Sequence, residues 1–180
     1  MDIALTQFIN NLSGRNPEFD QVMIAITNYG IYVLVAATAL LWWKCDERAE
    51  ARNACLVAGL SFLASLALNQ VLLLFLHRVR PYDAGVSHLL ITPNPDWSFP
   101  SDHATAAAAI IAGLWSKKLP RLAALFGAFG TLICFSRVYV GVHYVSDVVA
   151  GAAIGTLVAF VLAKLYRDNS WYARRITNIF

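Results

Sequence analysis

Two spacings in this 180-residue chain bring together residue types that could move a phosphoryl group. His143 and Asp147 are four apart, so on a helix they share a face. A carboxylate on one ring nitrogen fixes the imidazole tautomer and leaves the other nitrogen free as base or nucleophile. Arg137 stands six residues before His143, across Gly141, and a bend there would turn its guanidinium to the same point. A guanidinium offers paired donors matched to phosphate oxygens. The second group is Pro100-Ser101-Asp102-His103, ahead of an alanine-rich run. Proline suits a first helical turn, where its missing N–H had no partner to lose. The amides just after it point outward and, with the helix dipole, make a place for an anion such as phosphate. Ser101 would add a hydroxyl donor and His103 a proton carrier. Arg80, whose exit from the preceding run is set by Pro81, and Arg78 complete a basic set.

Each group also has a plainer reading. Ser101 or Asp102 would serve equally as a helix cap, with His103 an interfacial polar residue. His143 and Asp147 would make an ordinary surface pair. Arg78 and Arg80 would snorkel to lipid head groups. His77 and His88 lie in no motif and read as interfacial, while Tyr82, Asp83 and Trp97 are candidates for lining a head-group site. What favours chemistry at Arg137, His143 and Asp147 is their place at the end of a membrane span, because charged groups there are costly and usually functional.

The spans follow from composition. Hydrophobic residues make up 58% of the chain and charged residues 14%, with a mean hydropathy of +0.56. Soluble domains are ~45–50% apolar and ~25% charged, so a soluble enzyme, a disordered segment and a disulfide scaffold are disfavoured. Uncharged runs cover 21–43 and 53–76, long enough to cross as helices. Shorter ones cover 104–116, 122–136 and 148–163, and they reach spanning length only if Ser101 to His103, Arg137 and Asp147 belong to the same helices. Residues 3–12 are amphipathic and short, as an interfacial helix would be. The expected fold is an all-α polytopic membrane helix bundle of five transmembrane helices plus that N-terminal interfacial helix, about six in all, forming a single integral-membrane domain over 1–180.

Lys and Arg set the orientation. Segments 44–52, 117–121 and 164–180 hold ten of them, and segments 1–20, 77–103 and 137–147 hold four. The ten-rich side is expected to be cytoplasmic, with the C-terminus inside. All four histidines then fall on the periplasmic or extracellular face. Trp42, Trp43, Trp115 and Trp171 fall near cytoplasmic ends, as an aromatic belt would. The net charge of +3 and the lack of a basic run argue against nucleic acid. Cys45, Cys55 and Cys134 form no Cys-x-x-Cys pair and read as small buried hydrophobes. The first twenty residues lack the apolar core of a cleaved export signal.

Arg80-Pro81, Pro100-Ser101-Asp102-His103 and Ser136-Arg137-x5-His143-x3-Asp147 resemble the signature of the type 2 phosphatidic acid phosphatase superfamily. That pattern runs Lys-x6-Arg-Pro, then Pro-Ser-Gly-His, then Ser-Arg-x5-His-x3-Asp. The third block fits at every defining position. Through Ser98-Phe99-Pro100-Ser101-Asp102-His103 and the short amino-terminal helix, the chain is most similar to the bacitracin-resistance branch of undecaprenyl-diphosphatases. Two positions depart from the superfamily pattern: its Lys falls at Leu73, where Arg78 is the candidate substitute, and its Gly is Asp102.

The resemblance implies that His143 attacks phosphorus to form a phosphohistidine, Asp147 orients His143, and His103 protonates the leaving oxygen and then activates water. It implies that Arg80, Ser101 and Arg137, with amides near Asp102, hold the phosphoryl oxygens. No metal or other cofactor is called for, and the partners implied are a polyprenyl (di)phosphate lipid and the bilayer, with protein partners unspecified. The substrate expected is undecaprenyl diphosphate, hydrolysed to the monophosphate and phosphate, with a part in cell-wall biogenesis and bacitracin resistance. Alternatives are a phosphatidylglycerophosphate or other phospholipid phosphatase, an anionic lipid transporter or flippase, and a vanadate-dependent peroxidase. A transporter would carry ionisable groups deep in its spans or helices broken at midplane.

Overall fold

The structure, a computed structural model, describes residues 1–44 and 48–166. Cys45, Trp171 and the tail residues Arg167, Arg174 and Arg175 lie outside the described residues. Those described form six helices and no strand: α1 (Asp2–Asn10), α2 (Pro17–Lys44), α3 (Arg48–Leu73), α4 (Asp102–Ser116), α5 (Pro120–Tyr139) and α6 (Val145–Leu165). Four stretches are long and apolar enough to cross a membrane: Pro17–Trp43, Glu50–Leu73, Pro120–Tyr139 and Val145–Leu165. The last two reach that length because Arg137 and Asp147 lie inside their helices, as the charge pattern required.

At 15 residues α4 is short, about 22 Å against a hydrocarbon core of ~30 Å. It is enclosed by α3, α5 and α6 rather than by lipid. Ala104, Ala106, Ala107, Ala109, Ile110 and Leu114 of α4 are all buried. Its alanines let the neighbouring backbones come close, the usual basis of helix association where lipid is as apolar as leucine. Gly151 and Gly155 of α6 complete that contact. A Cβ at Gly155 would run into the carbonyl oxygen of Thr105 and lie 2.9 Å from the amide of Ala109. Overfilling so tight a seam costs typically ~1–3 kcal/mol, so Gly155→Val should lower the thermal unfolding midpoint in detergent. An unchanged midpoint would mean that the two helices are not in backbone contact.

Tyr29, Tyr32, Leu63, Leu125, Val149 and Leu157 are exposed on the bundle's outside, as a lipid-facing surface would have them. Trp43 and Trp115 are exposed near the end where α2 and α4 finish. At the other end, α3 and α5 finish and α4 and α6 begin. Segment 74–101 covers this end, and α1 lies across it. The sidedness of α1 is inverted relative to a helix on a soluble protein. Ile3, Leu5, Phe8 and Leu12 face outward, whereas Thr6 and Asn10 are buried. Asn10 donates to the carbonyls of His88 and Tyr139 at 2.9 and 2.8 Å and accepts the His88 amide at 2.7 Å. A helix with lipid on one side and polar loops on the other needs that arrangement, since buried backbone groups must find partners.

Candidate active site

The turn between α5 and α6 is made by Gly141, which adopts φ +87. Any Cβ there would collide with the His88 carbonyl oxygen, so the turn needs glycine for both its backbone conformation and its space. Two residues on, the imidazole of His143 is 3% exposed. Its Nδ1 lies 2.8 Å from the Ser98 carbonyl oxygen. A carbonyl can only accept, so Nδ1 carries the hydrogen and Nε2 keeps a free lone pair.

Asp147 is fully buried, and its Oδ2 is 3.6 Å from His143 Nδ1, too far for a hydrogen bond. The expectation that Asp147 bonds the imidazole directly is therefore refined. Oδ2 is already taken: it accepts from the Ser98 hydroxyl at 2.5 Å and from the Tyr144 amide at 2.8 Å, as the cap of α6. The carboxylate fixes Ser98, and the Ser98 carbonyl fixes the ring. Burial pushes the His143 pKa down to about 4, helped by the positive charges of Arg137 and Arg80 and opposed by Asp147.

A cavity of about 80 Å³ opens beside the ring, lined by Leu73, Arg80, Asn94, Asp96, Trp97, Pro100, Asp102, His103, Arg137 and His143. It has room for a few waters or one phosphate-sized group. Arg80 is 5% exposed and is aimed by the carbonyls of Asp96 and Val142, at 2.8 and 2.9 Å. Arg137 is 7% exposed; one nitrogen meets Thr27 Oγ1 at 3.3 Å and its Nε has no partner. Neither guanidinium forms an ion pair among the described residues. An unpaired buried charge carries a penalty of several kcal/mol. Two of them on one small cavity make it a site for an anion.

Most of the residues expected at the site meet here: His143, His103, Arg80, Arg137 and Asp102 all line the cavity, with Asp147 behind His143. Ser101 lies between two lining residues, and its buried hydroxyl has no partner. Helix α4 starts at Asp102 with Ser101 as its N-cap, so Pro100 precedes the helix instead of opening its first turn. Ser101 is extended there, with ψ 116, and its amide donates to the Asp147 carbonyl at 3.2 Å. Asp102 accepts from Asn69 at 2.9 Å and Gln70 at 3.2 Å, tying the end of α3 to the start of α4.

Arg78 is not brought to the cavity wall. Its guanidinium bonds Asp147, Ser146 and Asp2, each at 2.6 Å, and lies over the Tyr144 ring. It does not stand in for a lysine at Leu73, which presents hydrocarbon to the cavity. Trp97 lines the wall as anticipated, and Tyr82 fixes Asn94 through a bond to its carbonyl at 2.8 Å. Asp83 is exposed and lies off the wall. Among the described residues no three His, Cys, Asp or Glu side chains are grouped to hold a metal ion.

The family model of the PAP2 superfamily matches residues 54–171. The chain belongs to the PAP2 superfamily. This PAP2 phosphatase is 33% identical over 165 residues to undecaprenyl-diphosphatase BcrC of Bacillus subtilis, covering 91% of this chain and 83% of that one. It is 32% identical over 148 residues to an undecaprenyl-diphosphatase of Sulfolobus acidocaldarius, covering 80% and 69%. Its fold is similar to the crystal structure of a transmembrane PAP2-type phosphatidylglycerolphosphate phosphatase from Bacillus subtilis, with a TM-score of 0.69, 27% identity and coverage of 95% and 87%. What the spacing of motifs left out of this PAP2 site is Asn94, Asp96 and Asp2, and, for Ser98, its place between Asp147 and the imidazole. None belongs to a periodic pattern, and each reaches the site through a loop or a chain end.

Proposed function

We propose that the protein hydrolyses a polyprenyl diphosphate, undecaprenyl diphosphate being the leading candidate, to the monophosphate and phosphate through a phosphohistidine. The observation that carries this is the pair of buried, unpaired guanidiniums, Arg80 and Arg137, sharing one cavity with His103 and His143. Arg80, Arg137, the Ser101 hydroxyl and the first amides of α4 hold the terminal phosphoryl oxygens. The Nε2 lone pair of His143 attacks phosphorus, and the bond from phosphorus to the bridging oxygen breaks. That oxygen takes a proton from His103. The anion in the cavity favours protonated His103 beside it. Neutral His103 then takes a proton from water, the hydroxide attacks phosphorus, and Nε2 leaves. Positioning and charge neutralisation supply most of the rate in such a transfer. Leu73 and Trp97 offer an apolar rim for the first carbons of the lipid.

The names of the two diphosphatase relatives support this substrate. The likeness to the phosphatidylglycerolphosphate phosphatase favours a second reading, a phospholipid monoester. The balance of Lys and Arg supports a periplasmic or extracellular site with a cytoplasmic C-terminus. The helices that carry the site run unbroken, and their charged residues sit near helix ends rather than at mid-span (Arg121 and Arg137 in α5, Asp147 and Lys164 in α6), which speaks against a transporter.

The test is phosphate release by purified protein from a polyprenyl diphosphate, a polyprenyl monophosphate and phosphatidylglycerophosphate side by side, with a chelator present. The diphosphate should be cleaved fastest; faster release from the phospholipid would select the second reading. A reporter fused at residue 90 should be outside and one at 119 inside, and the reverse would move the site to the cytoplasm.

A further inference from the structure

We infer that Asp2 is a positioning residue of this site, holding the nucleophile His143 in place through Arg78, Asp147 and Ser98. The inference rests on the reading that His143 is the nucleophile. Asp2 Oδ2 meets Arg78 Nη2 at 2.6 Å, and Arg78 Nη1 meets Asp147 Oδ1 at 2.6 Å. Asp147 Oδ2 takes the Ser98 hydroxyl at 2.5 Å, and the Ser98 carbonyl takes His143 Nδ1–H at 2.8 Å. The circuit closes on the backbone, where the Ser98 amide donates to the Arg78 carbonyl at 2.8 Å. No atom of Asp2 or Arg78 reaches the cavity, so both act through others.

Three features make Asp2 more than a fastener for α1. First, Arg78 is shared by two carboxylates, one about a third exposed and the other fully buried. Without Asp2 the guanidinium is free to swing outward, because its own side chain is 32% exposed. Asp147 would then sit buried with neutral donors alone. Second, Asp2 accepts the Ser146 amide at 3.0 Å and the Ser146 hydroxyl at 2.6 Å. Thr6 accepts the Val145 amide at 3.1 Å. Helix α1 thereby caps the first turn of α6, where a carboxylate also complements the helix dipole. Third, that turn carries Asp147, so its angle and the aim of Ser98 are set together. Small losses of aim at a reacting group are expensive: partners one layer behind a site typically change activity ~10- to 100-fold.

The experiment compares wild type, Asp2→Asn, Asp2→Glu, Arg78→Gln and the double variant Asp2→Asn with Arg78→Gln in detergent, each corrected for folded protein. Steady-state hydrolysis of a polyprenyl diphosphate is measured together with the 15N NMR spectrum of histidine-labelled protein. Asp2→Asn should lower kcat about 10- to 100-fold with KM within about twofold. Asp2→Glu should recover part of the loss, and the double variant Asp2→Asn with Arg78→Gln should be no worse than Arg78→Gln alone. The NMR should show His143 as a single Nδ1–H tautomer in wild type and a mixture in Asp2→Asn. A single unchanged tautomer in Asp2→Asn, or a kcat per folded molecule equal to wild type, overturns the inference. An inactive wild type whose His143 still loses its single tautomer in Asp2→Asn would uphold the positioning role and reject the proposed reaction.

Discussion

His143→Ala should abolish phosphate release, by at least about 10⁴-fold, while leaving the protein folded. The side chain is buried but makes one hydrogen bond, to the Ser98 carbonyl, which water can replace in the space vacated. His143→Gln is the companion variant, since its amide can still donate to Ser98 while offering no nucleophile. The same residue predicts the acid limb of the pH profile. The ring attacks only when Nε2 is unprotonated. Burial and the two arginines hold its pKa near 4, so the limb that belongs to His143 should show kcat/KM falling as pH drops through about 4. An acid limb near the ordinary imidazole value of ~6.5 would mean that the ring is solvated and the guanidiniums are turned away. Activity that survives His143→Ala would remove the covalent scheme altogether.

The second large effect belongs to Arg137. Arg137→Met should reduce kcat by about 10²- to 10³-fold, the usual loss when one donor to a developing oxyanion is removed. Arg137→Lys should recover little, because a point charge on a flexible stem does not reproduce a planar pair of donors. Stability should move the other way. The guanidinium is 7% exposed, its Nε has no partner, and it forms no ion pair among the described residues. Replacing an unsatisfied buried charge with an apolar side chain of similar length is neutral or stabilising. Without ligand, Arg137→Met should therefore melt at or above the wild-type temperature in detergent. Added orthophosphate or orthovanadate should raise the midpoint of wild type, as any ligand specific to the folded state must, and leave that of Arg137→Met unmoved. A variant that loses both activity and stability would recast Arg137 as a structural residue.

The parts of the fold that were legible in the sequence are those governed by one-dimensional rules. The runs at 21–43 and 53–76 announce α2 and α3 because a span must satisfy its own backbone and present hydrocarbon outside. The ends of α5 and α6 were readable from Arg137 and Asp147, because ionisable groups at a span's end usually serve function. Helix α4 was the hardest to place, since a short helix sheathed by protein needs neither the length nor the hydrophobicity of a lipid-facing one. Spacing likewise paired His143 with Asp147 on one helix face, whereas the structure sets His143 in the turn before α6, which begins at Val145. Spacing could not show that Oδ2 of Asp147 is engaged by its own helix cap, leaving the imidazole to the Ser98 carbonyl. Arg78 misled for a similar reason. Two residues from Arg80, it shares that residue's composition and neighbourhood, yet the chain's first acidic residue captures it from across the fold. Contacts such as Asp2 with Arg78, or Asn10 with the His88 backbone, depend on where a loop crosses a helix end, and no local propensity encodes them.

The proposed phosphohistidine route requires separated stretches of the chain to assemble one phosphate cup around a histidine with a free Nε2. Its most direct test is to mix the protein with a polyprenyl diphosphate labelled in the terminal phosphoryl group, quench in alkali within the first turnover, and map the label. Label should appear on His143 alone, survive alkali, be lost in acid, and be absent from His143→Gln. A protein that turns over substrate yet never carries label, or carries it on another residue, would contradict the account.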